Sequence, residues 1–125
     1  MTQKTPLEAL EATIADFKAH PAMRTSLELA LNSEGAVVDP QDPKATCFCA
    51  VGLYVRHRNA PPVPRPGESM ESGYYRLLEQ DGVVEEASDI WAPNDADETE
   101  TGEHIIPVLE GIRDRLKATL EASAA

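Results

Sequence analysis

Asp42-Pro43-Lys44-Ala45-Thr46-Cys47-Phe48-Cys49-Ala50-Val51-Gly52-Leu53-Tyr54-Val55-Arg56 is the stretch whose conformation decides how this chain folds. Asp42 can cap a helix and Pro43 suits its first position, so the pair predicts a helix running to about Arg56. Cys47, Phe48, Ala50, Val51, Tyr54 and Val55 cover a wide arc of that helix. A helix apolar over most of its circumference sits centrally in its domain. Gly52 in its middle costs about 1 kcal/mol relative to Ala, which predicts a neighbouring backbone passing close by. Arg56-His57-Arg58 then puts cations at the helix C-terminus, where the macrodipole favours them.

Other helices flank this one. Thr5-Pro6-Leu7-Glu8 carries a cap, a proline at the first position and a glutamate three after the cap. Leu7, Leu10, Ile14 and Phe17 follow as one apolar stripe, and His20-Pro21 ends it. A shorter helix is expected over 22–31, with Leu27, Ala30 and Leu31 inward. Asn32-Ser33-Glu34-Gly35 would stop it, and Ala36-Val37-Val38 could form a small extended segment. The Pro-rich run 60–67 reads as an exposed connector. A helix over 69–80 would turn Met70, Tyr74, Leu77 and Leu78 inward. Residues 83–87 could be a helical turn or a short strand, and Ile90-Trp91 form a lone apolar pair. After an acidic loop over 92–100, Thr101 would cap a last helix carrying Ile105, Leu109, Ile112, Leu116 and Leu120. The expectation is an all-α fold. Residues 1–125 would form a single compact helical domain of four to five helices with long Pro-rich and acidic loops, and at most one small hairpin.

Charge is segregated along the chain. Between Leu77 and Ile112 stand eleven Asp or Glu and no Lys or Arg, enough to account for the whole net charge of −11. A one-signed field of this kind repels phosphate backbones and attracts basic protein surfaces or cations. Nucleic acid is therefore excluded as the expected partner. No apolar run reaches the ~20 residues needed to span a bilayer, so no membrane partner is expected. The N-terminus has no signal-like apolar core. With only Cys47 and Cys49, two residues apart, reduced thiols in a cytoplasmic protein are the expected state.

The candidate chemistry is sparse. The acids at 95–103 could offer oxygen ligands to a hard cation. Their spacing fails the EF-hand pattern, because Glu100 falls where glycine is required. A zinc site needs about four N or S ligands, and two Cys with three scattered His are a poor set. No metal and no cofactor is therefore expected. A Cys–His nucleophile pair involving Cys49 is conceivable, but two small buried thiols are the simpler reading.

Two segments together resemble a known pattern. Asp39-Pro40-Gln41-Asp42-Pro43-Lys44-Ala45 leading to Cys49-Ala50-Val51-Gly52-Leu53 is similar to a D-P-x-x-P-x-A…W-C-A-L-G-A helix. Trp91…Asn94-Asp95 before an amphipathic helix is similar to a W-N-D helix start. Together they resemble a small uncharacterised family of bacterial and bacteriophage proteins. Phe48 replaces the family's tryptophan, and Ala92-Pro93 separates Trp91 from Asn94. The resemblance implies an α-rich single domain and no activity. It also implies that Cys49, Gly52, Trp91, Asn94 and Asp95 converge on a pocket. The first functional expectation is a non-enzymatic acidic module, phage- or prophage-related, docking on a basic protein surface through Glu85, Glu86, Asp89, Asp97, Glu98 and Glu100. The alternative is a small ligand-binding or Cys-dependent enzyme domain using the pocket near Cys49 and Trp91.

Overall fold

The computed structural model describes residues 3–124. Its elements run α1 (Pro6–Ala19), a 3₁₀ turn (Pro21–Met23), β1 (Ala30–Asn32), β2 (Ala45–Phe48), α2 (Ala50–Arg58), α3 (Met70–Gln80), α4 (Ser88–Ala96) and α5 (Ile105–Ala124). The molecule is mostly helical. The all-α expectation is corrected by a two-stranded antiparallel sheet, with Ala30 opposite Phe48 and Leu31 opposite Cys47.

Asp42-Pro43 opens a turn and not a helix. The Asp42 carboxylate accepts the Lys44 N–H at 2.8 Å, and its carbonyl accepts the Ala45 N–H at 3.0 Å. That local closure competes with helical bonding. It releases Ala45-Thr46-Cys47-Phe48 as a strand, which pairs with β1 on one edge. On its other edge the Phe48 carbonyl takes the Thr25 N–H at 2.9 Å. The helix expected over 22–31 is absent for the same reason, since those residues flank or form strands.

The helix begins at Ala50, with Cys49 as its cap. Every residue of Ala50–Val55 is buried, and α2 packs against α1, α3 and α4. The close approach at Gly52 is real, because a Cβ there would lie 1.8 Å from the Leu29 carbonyl oxygen. Leu10, Ile14 and Phe17 of α1 pack into the same core as Ile105, Leu109 and Ile112 of α5. The Pro-rich connector also packs down: a Cβ on Gly73 would meet Pro62 and Pro64 within 2.9 Å.

Charged groups tie the helix ends together. Arg58 grips both oxygens of Asp81 at 2.8 and 3.0 Å, and the Tyr54 hydroxyl donates to the same carboxylate at 2.5 Å. The end of α2 is thereby fixed to the end of α3. Burial first, then the Asp81 carboxylate, pushes the Tyr54 phenol up, so it stays a donor.

Candidate functional site

Four of the residues expected to line a pocket meet at the start of α2. Asn94 is wholly buried in α4. Its amide oxygen accepts the Ala50 N–H at 3.2 Å, and its amide nitrogen donates to the Thr25 carbonyl at 3.0 Å. Cys49 Sγ accepts the Gly52 N–H at 3.3 Å. Asn94 and Cys49 thus satisfy two of the N–H groups that every helix start leaves open. Asp95 reaches the other way and accepts the Leu27 N–H at 2.9 Å. The group holds backbone together. The Cys49 thiol is 3% exposed, and burial pushes it up to about 12. That shift keeps the thiol protonated at neutral pH. Trp91 stands apart from the group, 38% exposed on the outer side of α4.

Asp97 requires a correction. It is 3% exposed and so cannot face a partner. Its carboxylate accepts the His104 N–H at 3.1 Å, the Ile105 N–H at 3.0 Å and the Thr99 N–H and hydroxyl at 2.9 and 2.5 Å. Burial pushes this carboxyl up, but those four bonds outweigh it and hold the group well below the usual carboxylate range. Asp97, not Thr101, caps α5. Arg24 closes the same corner by donating to the carbonyls of Asn94, Asp97 and Thr99 at 2.8–2.9 Å. Sequence reasoning missed Arg24. Its only sequence signal is a lone cation just after the Pro21 turn.

The remaining acids divide between the two ends of α4, a helix of nine residues and therefore about 13 Å long. Glu98 and Glu100 lie beyond its C-terminus and are exposed. Glu85, Glu86 and Asp89 lie at its N-terminus, beside Glu79 of α3. The six expected docking residues therefore do not form one surface. The N-terminal group does form one. Tyr75, Glu79, Glu85, Glu86 and Trp91 line an open depression of about 500 Å³ that no Lys or Arg enters. Glu79 and Glu85 also rim a second groove, of about 830 Å³, over Val83, Val84, Ile112 and Leu116. Among the described residues, Arg115 is the one cation on that groove. Among the described residues, none of Glu79, Glu85, Glu86 and Asp89 has an ion-pair partner. Tyr75 is a further face residue that sequence reasoning missed. Its hydroxyl donates to Glu71 at 2.6 Å, one helical turn back.

One backbone outlier lies outside this face. Leu27 has φ +73°, a left-handed conformation that disfavours a leucine by roughly 1–2 kcal/mol. Its side chain is 80% exposed, and the Asp95 bond holds it in place.

Set against known proteins, the chain matches no family model, no curated protein and no solved structure.

Proposed function

We propose that this chain is a non-enzymatic protein-binding module that docks on a basic protein surface, in the manner of a phage or prophage accessory or inhibitor protein. The supporting observation is the depression at the α4 N-terminus, where Glu79, Glu85 and Glu86 surround Tyr75 and Trp91 with no cation between them. Unneutralised carboxylates there attract a cationic partner and speed its encounter. Tyr75 and Trp91 supply rigid apolar area of the type that anchors interfaces. Glu98 and Glu100 extend the same field from the far end of α4 without joining the contact.

The test is a binding series against basic proteins of known structure at rising salt. Affinity is expected to fall steeply as the Debye length shrinks from about 10 Å at 0.1 M salt to about 3 Å at 1 M. Glu85→Lys/Glu86→Lys should weaken binding by about tenfold or more, with the fold intact. Binding that ignores both salt and charge reversal would overturn the proposal.

A further inference from the structure

We infer a second, separate docking groove that takes an apolar side chain from a Lys- or Arg-flanked segment of another protein. Leu29, Val38, Pro40 and Tyr74 form its apolar lining, with Val37 and Met70 at its lip, around a volume of about 280 Å³. Val37 is 61% exposed and Met70 is 53% exposed. With Leu27, one residue before the rim at Glu28, they are three of the five large apolar side chains exposed among the described residues. Single exposed leucines need no explanation, but a cluster beside a groove marks an interaction site.

The chemistry of the occupant follows from the rim. Glu28, Asp39 and Glu71 line the groove and no Lys or Arg does. Tyr74 donates to Asp39 and Tyr75 to Glu71. Those neutral donors leave both negative charges in place, while the Glu28 carboxylate has no partner among the described residues. An apolar group framed by cations fits such a rim. A second copy of this chain does not, because it would bring the same carboxylates against themselves at a net charge of −11.

Leu27 is the independent observation. The chain holds it left-handed and outward, with Asp95 on its N–H and Asn94 on the Thr25 carbonyl two residues before. Folding alone gains nothing from a leucine at that position, since glycine or asparagine would sit there with less strain. Backbone strain retained at an exposed apolar residue points to use in binding. The positive charge assigned to the partner rests on the groove's own rim of Glu28, Asp39 and Glu71, and not on the acidic face at the start of α4.

The experiment titrates the ¹⁵N-labelled full chain with a peptide alternating Lys and Leu, and with an all-Lys peptide of equal charge. The Lys/Leu peptide is expected to bind about tenfold more tightly and to shift the amides of residues 28–31, 37–39 and 70–74. Leu27→Asn should remove that tenfold difference while thermal stability stays equal or rises, which a merely structural leucine would not do. Glu85→Lys/Glu86→Lys should keep the difference, because the two surfaces share no residue. Equal binding of the two peptides would overturn the inference. So would an unaffected Leu27→Asn, loss of the difference in the Glu85→Lys/Glu86→Lys variant, or the same amides shifting on dilution of the protein alone, the mark of a second copy.

Discussion

At the scale of single residues, the fold hinges on positions where no other side chain fits the backbone. Gly52 is the clearest. In an open helix Gly→Ala stabilises by about 1 kcal/mol. Here the new methyl would sit 1.8 Å from the Leu29 carbonyl oxygen, and a backbone carbonyl held by the Cys49 N–H cannot swing away as a side-chain end can. The clash outweighs the propensity gain, so Gly52→Ala is expected to destabilise by about 2–3 kcal/mol. Urea unfolding measures this, and a variant as stable as the parent would mean that the Leu29 carbonyl does not lie against α2. Asp97 makes the complementary case for a charge. Its carboxyl lies below its unfolded value in the native state. Its contribution is therefore complete above the unfolded value, near ~4, and is lost as pH falls through the folded value. Asp97→Asn should cost about 1–3 kcal/mol at neutral pH, because the amide gives up one acceptor oxygen among buried donors. It should also flatten the fall in stability between about pH 5 and pH 2. An unchanged acid profile would mean that some other carboxyl dominates.

At the scale of elements, the long and well-marked helices were legible and the short pieces were not. The capping box at Thr5 and Glu8 is present with both of its bonds, and Ser69 caps α3 through the Ser72 N–H. Each signal lies within four residues of the bond it makes. The stretch 42–56 misled because a short strand carrying Ala45, Cys47 and Phe48 has the same apolar composition as a helical turn. Only β1 and the Thr25 N–H, distant in sequence, select the strand. The same pairing undid the helix expected over 22–31 and turned Leu27 outward. Met70 was expected inward but lies in the first turn of α3, beyond the reach of the core. Ala92 to Ala96, expected as loop, continue α4 through Pro93. The convergence of Cys49, Gly52, Asn94 and Asp95 could be anticipated as a set. What they do there could not, because their partners are backbone groups of Thr25, Leu27 and Ala50, which no residue pattern encodes. Pro107 falls in the first turn of α5, where its missing N–H removes no helical bond.

At the scale of the whole molecule, the acids that the sequence concentrates between Leu77 and Ile112 serve different ends. Asp81, Asp95 and Asp97 hold elements together through Arg58, the Leu27 N–H and the start of α5. Glu110 pairs with Lys18 at 2.9 Å, but both groups are solvated and the pair contributes about 0–1 kcal/mol. Among the described residues, the carboxylates of Glu85, Glu98, Glu100 and Glu103 have no hydrogen-bond or ion-pair partner. They add like charge to a molecule that already carries −11, and self-repulsion of this kind destabilises a compact state. A chain shaped by stability alone would neutralise them, so their retention is the whole-molecule counterpart of the strain at Leu27. Replacing Glu85, Glu86, Glu98 and Glu100 together with Gln should therefore raise stability by about 1 kcal/mol in total. The gain should be largest at low ionic strength, where repulsion is least screened, and should shrink as salt rises from about 0.05 to 0.5 M. Urea is the denaturant for this measurement, since guanidinium would itself screen the charges. The same variant should lose its salt-sensitive binding to basic proteins. A variant that is more stable and still binds would separate the charge from the function, whereas one that is less stable would show that these carboxylates support the fold.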